Sequence, residues 1–160
     1  VVATNLHGDP NMTTTDLKAA WNCNTAVSHG VLTATPLAGV SQYSLYPMHL
    51  PGQADGANVT LPSGDYVFVF QANVGPGGLH FDQVSGIILG TVSALGSLIV
   101  VPFHVNGSGW LTNIYLLAQT SQYPTITVSH AGIYTASDWA AMQALGVDWF
   151  SGDEYGKVSQ

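Results

Sequence analysis

The chain has 160 residues, of which 46% are hydrophobic and only 7% are charged, and it has no arginine and two lysines against nine carboxylates. A chain of this length forms one domain that buries roughly two-thirds of its unfolded surface. So few cations argue against binding of nucleic acid by phosphate neutralisation, exclude binding to an anionic membrane surface, and exclude a fold held by salt bridges. Low charge combined with apolar runs is typical of an ordered domain that packs against other proteins.

Residues 1–30 are predicted to form an N-terminal arm. Within it, residues 13–21 begin with three threonines and an early aspartate, a pattern that predicts a short helix. Cys23 is the only cysteine, so no intramolecular disulfide can form. We expect a small buried or half-buried thiol, with an intermolecular disulfide as the alternative.

Residues 31–134 are predicted to form a β-sandwich domain. Short β-branched and aromatic runs alternate there with clusters of Gly, Pro, Ser and Asn, and the spacing favours a jelly-roll-like sandwich or barrel. The most apolar stretch, residues 87–105, is interrupted by Gly90, Gly96 and Pro102, which favours two strands and a turn over a membrane helix. The predicted strands are Val31–Thr35, Val40–Tyr46, Ala57–Leu61, Tyr66–Val74, Phe81–Leu89, Ser97–Val105, Trp110–Gln119 and Thr125–Tyr134.

Residues 135–160 are predicted to form a C-terminal helix and tail that belong to the same structural domain. Thr135 can cap the free amides of the helix, and Gly146 can take the left-handed conformation that ends it. Trp139, Met142 and Leu145 recur at helical spacing and are expected to form its buried stripe.

The six histidines show no close-spaced metal-ligand signature. His80 and Asp82 share one face of a predicted strand, and His104 and His130 lie in neighbouring strand candidates, so a metal site could be assembled from them. Ordinary polar or core histidines explain the same pattern. We therefore predict no metal, no cofactor and no cofactor-binding residue.

Catalytic residues are also not predicted. Paired carboxylates for glycoside hydrolysis could come from one set of acidic residues, but most of its aspartates stand beside Gly, Ser or Pro, where turn formation explains them. The chain has no Gly-x-Ser-x-Gly sequence, and the glycines at 75–78 lack the lysine of a phosphate-binding loop. The acidic set is Asp55, Asp65, Asp82, Asp148, Asp153 and Glu154.

Aromatic residues of the predicted strands offer a possible stacking surface for sugars, although strand aromatics also occur in cores and subunit interfaces. They are Trp110, Tyr115, Tyr123, Tyr43 and Tyr46.

The segment from Tyr134 to Asp153, YTASDWAAMQALGVDWFSGD, resembles the endings of structural proteins of tailed phages of actinobacteria. The resemblance covers about twenty residues and implies a virion component, namely a capsid decoration protein, a minor capsid protein or a tail protein. It implies no catalytic residues.

Three functions therefore compete, of which a small secreted hydrolase is the least favoured. The first is a non-enzymatic virion structural protein that decorates or reinforces a phage capsid or forms part of the tail. It would be located on the particle surface after assembly in the host cytoplasm. Its expected partners are copies of itself, with a trimer among the expected assemblies, and other virion proteins, but neither nucleic acid nor membrane. The alternative is a carbohydrate-binding or receptor-binding β-sandwich module that uses the strand aromatics.

Overall fold

The structure is a computed structural model that describes residues 2–15, 20–53, 58–77, 80–83, 86–151 and 154–155. It contains twelve strands and one helix, α1 (Ala136–Ala144), within these residues. The strands are β1 (Ala3–Thr4), β2 (Cys23–Ser28), β3 (Val31–Pro36), β4 (Gln42–Leu45), β5 (Gly64–Ala72), β6 (His80–Gln83), β7 (Ile87–Leu89), β8 (Ser93–Leu95), β9 (Leu98–Val105), β10 (Ile114–Gln119), β11 (Ile126–Thr135) and β12 (Glu154–Tyr155).

The strands form two main antiparallel sheets. The large sheet has the order β2-β3-β11-β5-β9-β7, and β8 also pairs with β9. The small sheet has the order β4-β10-β6, and β1 pairs with β12 in a separate two-stranded ribbon. The mainly-β sandwich with a short C-terminal helix that the sequence predicts is confirmed.

The main core lies between the large and the small sheet. Alternation along β5 directs Phe68 and Phe70 inward, where they meet Ile99 of β9 and Leu116 of β10. These side chains are almost fully buried. The sandwich is therefore held by contacts between side chains that alternate toward one face of each sheet.

A second core lies on the opposite face of the large sheet. Val67 and Val69 alternate to this side of β5 and pack with Tyr134 and Met142, and Trp139 covers them from α1. The apolar run of β5 is therefore covered on both faces, as an unbroken apolar sequence predicts.

Helix α1 begins and ends close to the predicted positions. The hydroxyl of Thr135 accepts a hydrogen bond from the backbone N–H of Asp138 at 3.2 Å, which satisfies one of the free amides of the first turn. Gly146 follows with φ +71°, a conformation that glycine adopts without the clash a Cβ would cause. The predicted stripe needs one correction. Met142 is buried and Trp139 half-buried, but Leu145 is 58% exposed because it caps the helix where the chain turns away.

Four strand predictions differ from the structure. Residues 87–105 hold a third strand, β8, between the two predicted there. The predicted strand 81–89 is two strands, because β6 pairs with β10 in the small sheet and β7 pairs with β9 in the large sheet. The predicted strand 110–119 begins only at Ile114. Residues 58–61 of the predicted strand 57–61 are not in a strand, and residue 57 lies outside the described residues.

The predicted N-terminal helix differs as well. Residues 16–19, its centre, lie outside the described residues, while Trp21 forms a β-bridge and β2 follows it directly. Strand β2, which falls in the predicted arm, pairs with β3 across a tight turn in which His29 and Gly30 both have positive φ. Such turns match the twist of a hairpin. In the part of the chain that the structure describes, no helix is long and apolar enough to cross a membrane.

Candidate functional site

The outer face of the small sheet presents an alternating set of side chains. Tyr43 and Leu45 of β4 point into the main core, as does Leu116 of β10. The residues between them therefore point outward, because successive strand residues face opposite sides of a sheet. On β10 the outward residues include Tyr115 and Leu117, both partly exposed.

Tyr46 and Tyr115 form an aromatic pair on this outer face. The register sets Leu45 opposite Leu116, so the next residue of the chain, Tyr46, comes opposite Tyr115. Their ring centroids are 5.3 Å apart and the planes are inclined by 45°. This distance is within the range of favourable aromatic contacts, which hold both rings in place.

Trp21 extends the same face beyond β4. Its N–H donates to the carbonyl of Ser44 at 3.0 Å, and the N–H of Ser44 donates to the carbonyl of Trp21 at 2.9 Å. Residues that exchange both bonds lie directly opposite each other, with their side chains on the same face. Ser44 points to the outer face, because its neighbours Tyr43 and Leu45 point into the core, so Trp21 points to the outer face as well. The Trp21 side chain is 51% exposed.

Two carboxamides complete this surface. Gln42 at the start of β4 lies directly opposite Gln119 at the end of β10. Both share the outward alternation of Ser44 and Leu117, and Gln119 is exposed. We name this surface the aromatic platform and define it by its six residues: Trp21, Gln42, Tyr46, Tyr115, Leu117 and Gln119.

The aromatic platform combines flat apolar rings with uncharged hydrogen-bonding groups. Tyrosine hydroxyls and carboxamides can each donate and accept hydrogen bonds, while an indole ring supplies an apolar face and a single N–H donor. None of the six residues is ionised at neutral pH. The register also sets Asp82 of β6 directly opposite Tyr115, so the surface disfavours anionic ligands and suits one that has both an apolar face and hydroxyl groups.

The structure places the five predicted sugar-stacking aromatics at different sites. Among these five, only Tyr46 and Tyr115 are in ring contact with each other. Tyr43 is buried, its hydroxyl donates to the carbonyl of Tyr123 at 2.5 Å, and burial raises its pKa to about 12. Tyr123 in turn donates to the carbonyl of Gly77 at 2.5 Å. Trp110 is 57% exposed but lies in the loop before β10.

Four members of the aromatic platform are not predicted from the sequence, namely Trp21, Gln42, Leu117 and Gln119. Trp21 falls at the end of the predicted helix, and the structure instead places it in a β-bridge directly before β2. Gln42 and Gln119 lie in predicted strands, but only the register shows that they face each other. Pairing between strands distant in sequence cannot be read from a single strand.

The histidines considered for a metal site do not lie together. Strand β5 separates the strands of His104 and His130, and the ring of His104 instead makes a 2.8 Å hydrogen bond to Asp65. His80 and Asp82 lie on β6, and their side chains are outside the described part. Among the described residues, no three His, Cys, Asp or Glu side chains form a group that could hold a metal ion.

The acidic residues considered for glycoside hydrolysis also lie apart where they are described. Asp65 lies in a cleft near His104, whereas Asp148 lies in a different cleft and accepts a hydrogen bond from Gln143. Asp55 and Asp153 lie outside the described residues, as do the side chains of Asp82 and Glu154.

A buried polar cluster lies beneath the N-terminal segment. His7 is 2% exposed, and its Nδ1 accepts from the N–H of Asp9 at 2.9 Å while Nε2 lies 2.8 Å from the carbonyl of Pro47. The N–H of Asp9 can only donate, so Nδ1 is the acceptor and Nε2 carries the hydrogen of the neutral ring. The longer 3.2 Å approach of the His49 N–H to Nε2 is a contact between two donors. Burial, reinforced by neighbouring His49, lowers the pKa of His7 to about 3.

Asp9 is the ionised member of this cluster. Its carboxylate accepts hydrogen bonds from the backbone N–H and hydroxyl groups of both Thr13 and Thr14, at 2.7–2.9 Å. Burial acts to raise the pKa of Asp9, but these bonds outweigh it and the net pKa is lowered. The carboxylate oxygens are occupied by these donors, so the cluster holds the N-terminal loop closed and leaves little capacity for a metal ion.

Comparisons with known proteins found similarity in solved structures alone. A scan against models of protein families found no match, and a search of curated proteins found none. Among the similar solved structures is a variant of the family 29 carbohydrate-binding module CBM29-2, with 15% identity, coverage of 84% of this chain and 89% of that chain, and a TM-score of 0.42.

Two further variants of that module were solved with sugars. One, complexed with mannohexaose, has 12% identity, covers 84% of this chain and 93% of that chain, and has a TM-score of 0.42. Another, complexed with cellulohexaose, has 15% identity, coverage of 84% and 88%, and a TM-score of 0.37.

Proposed function

We propose that the protein is a non-catalytic carbohydrate-binding module that holds a neutral glycan against the aromatic platform. The observation that carries the proposal is the shared outer face of Trp21, Tyr46 and Tyr115, where one ring is half-exposed and the other two are in contact. Large aromatics on the solvent side of a sheet lose the stabilisation that burial would give them. A ligand that covers these rings with its own apolar face would restore this stabilisation.

The chemistry of a sugar ring matches this surface. One face of many pyranose rings presents C–H groups that pack on an aromatic ring, while the hydroxyls at the edge both donate and accept hydrogen bonds. Gln42 and Gln119 lie on the same face, four residues along the strands from Tyr46 and Tyr115, where they can satisfy the hydroxyls of an oligosaccharide that extends along the sheet.

The charge of the chain selects among glycans. The net charge is −7, with no arginine. Sulfated and uronic acid polymers would be repelled, because each anionic group needs a cationic partner that the aromatic platform lacks. Neutral glycans carry no such cost.

A glycan array that includes neutral, acidic and amino oligosaccharides tests this function. We expect binding to neutral oligosaccharides and loss of at least tenfold in affinity, about 1.4 kcal/mol, for Trp21→Ala. Trp110→Ala is the matched control, because it removes an equally exposed indole outside the platform. An array without neutral hits, or equal losses from the two variants, contradicts the proposal.

A role as a virion structural protein is a second proposal. Several large apolar side chains stand exposed in the single chain, and a surface poor in charge suits burial against neighbouring subunits. A particle-surface protein that binds glycans would combine both roles. Locating this chain in the source particle by electron microscopy tests it, and absence from the particle contradicts it. The exposed apolar residues are Trp21, Leu37, Ile88, Leu95, Trp110 and Leu145.

A further inference from the structure

The cleft that contains Asp148 lies on the outer face of the large sheet, on the side of the molecule opposite the aromatic platform. Its volume is about 610 Å³, within the range of small-molecule sites. Gln71 forms part of its floor, because it shares the outward alternation of Val67 and Val69 on β5. The cleft is lined by polar and apolar groups that include Gln71, Leu95, Ser97, His130, Asp148 and Trp149.

The indole of Trp149 forms a fixed wall of this cleft. The left-handed Gly146 turns the chain back after α1, and the N–H of Val147 donates to the carbonyl of Met142 at 2.9 Å. The indole N–H of Trp149 then donates to the carbonyl of Ala131 at 2.8 Å. A ring held at its polar edge loses little conformational entropy when a ligand packs against it.

His130 is placed beside this wall by an irregularity of β11. The register between β11 and β5 shifts between Ser129 and Gly132, and His130 has φ +52°. A left-handed conformation is unfavourable for residues other than glycine, and such residues concentrate at functional sites. The bulge turns the imidazole toward Trp149, with ring centroids 4.4 Å apart in an edge arrangement.

The polar groups around the cleft include both donors and acceptors. Asp148 accepts from Gln143 through Oδ1, which leaves Oδ2 as an acceptor. Gln71 donates through Nε2 to the hydroxyl of Ser97 at 2.9 Å, which leaves its own carbonyl oxygen and the hydroxyl hydrogen of Ser97. The ring of His130 contacts Ser129 through Nδ1, which leaves Nε2. No other partner of these groups lies among the described residues.

We propose that this cleft is a second glycan-binding site, which takes an uncharged sugar ring against Trp149. A hydroxyl group is donor and acceptor at once, so a polyol can satisfy Asp148 and Gln71 as well as His130. The apolar face of the ring would pack between Trp149 and Leu95, which is 40% exposed. The inference depends on the residues of this cleft and is independent of the aromatic platform.

Two binding sites on opposite faces would let one protein molecule bind a polysaccharide at two points. A polysaccharide matrix can engage both faces, so binding to insoluble polymer gains from effective concentration, whereas a short oligosaccharide occupies each site separately. We expect the affinity for polymer to fall steeply when either site is lost.

The test follows the indole N–H resonances of the four tryptophans by NMR, assigned with single Trp→Phe variants. The probes are the methyl glycosides of glucose, mannose, galactose and N-acetylglucosamine at tens of millimolar, and the hits are repeated as oligosaccharides. We expect one glycoside or more to shift the Trp149 resonance. His130→Asn and Asp148→Asn should weaken that response at least tenfold and leave the Trp21 response unchanged.

These variants are chosen to keep the fold. Asparagine tolerates the left-handed conformation at position 130, and Asp148→Asn retains an acceptor for Gln143. A Trp149 resonance that no probe moves overturns the second site. If Trp21 still responds, the aromatic platform survives alone, and if Trp149 alone responds, the platform fails and the cleft stands. Trp149 shifts that persist unchanged in both variants also contradict the proposed site.

Discussion

Acidification should destabilise the protein through the buried His7. Its ring is neutral, with Nδ1 bonded to the N–H of Asp9 and Nε2–H bonded to the carbonyl of Pro47. Protonation would put a hydrogen on Nδ1, which would break the first bond and leave a buried cation. Burial accordingly lowers the pKa of His7 from 6.5 to about 3.

The shift in the pKa of His7 fixes both the sign and the size of the change in the free energy of unfolding with pH. The unfolded chain binds a proton at His7 below pH 6.5 and the folded chain does not until about pH 3, so stability falls as the pH falls through this window. Between pH 7 and pH 5 the loss from His7 is about 2 kcal/mol, at about 1.4 kcal/mol per pH unit below the unfolded pKa. Burial also lowers the pKa of His49, so His49 adds a loss of the same sign.

Asp9 does not disturb this measurement. Its folded pKa is lowered, so the stability it contributes is present above its ordinary pKa of 3.8 and is lost only as the pH falls below that value. Between pH 7 and pH 5 its carboxylate stays ionised in the folded and in the unfolded chain. The change in this interval therefore reports the histidines.

Urea denaturation at pH 7 and pH 5 measures the effect. We expect the wild-type free energy of unfolding to fall by about 2 kcal/mol or more, out of a total of about 5–15 kcal/mol. His7→Asn should be less stable at both pH values but show a smaller difference between them. His29→Asn is the control. His29 is exposed and has a left-handed backbone conformation that asparagine also adopts, so this variant should keep the wild-type difference in stability between the two pH values. A wild-type stability that is equal at the two pH values refutes the assignment of a neutral, buried His7.

Three further predictions test packing, assembly and metal independence. Trp139→Ala should lower the free energy of unfolding by about 2–3 kcal/mol, less than for a fully buried tryptophan because the ring is half-buried where it stacks on Tyr134 at 5.9 Å. Leu145→Ala should leave the free energy of unfolding nearly unchanged in the same urea titration, because Leu145 is exposed. Equal losses from Trp139→Ala and Leu145→Ala would contradict the packing of α1. Light scattering at micromolar concentration should detect self-association, because a surface this poor in charge is unusual for a monomer, and a strict monomer contradicts this. EDTA should leave the thermal midpoint unchanged, and a drop of several degrees would reveal a structural metal.

The sequence predicts the elements whose signals are local. Strand β5 has an unbroken apolar run, and α1 has a threonine cap and a terminal glycine, so both were predicted within a few residues. The split of residues 81–89 was not predictable, because β6 and β7 are assigned to different sheets by partners distant in sequence. Periodicity along one strand does not contain that information.

The candidate site also combines residues that local sequence signals predict with contacts that depend on pairing between distant strands. Tyr46 and Tyr115 were recognised as strand aromatics, but their contact depends on a register between strands about seventy residues apart. Tyr43 has the same composition signal and points inward because it differs from Ser44 by one step of the alternation. Trp21 faces outward only because two backbone hydrogen bonds join it to Ser44. Residue types indicated an aromatic surface, and long-range pairing decides which aromatics form it.

Isothermal titration of wild type and Tyr115→Ala with the strongest neutral oligosaccharide from the array tests the proposed function most directly. Tyr115 lies at one end of the aromatic platform in contact with Tyr46, and its side chain points away from the main core. We predict that Tyr115→Ala weakens binding at least tenfold while the thermal midpoint stays close to that of wild type. Unchanged affinity in Tyr115→Ala would contradict glycan binding on this face.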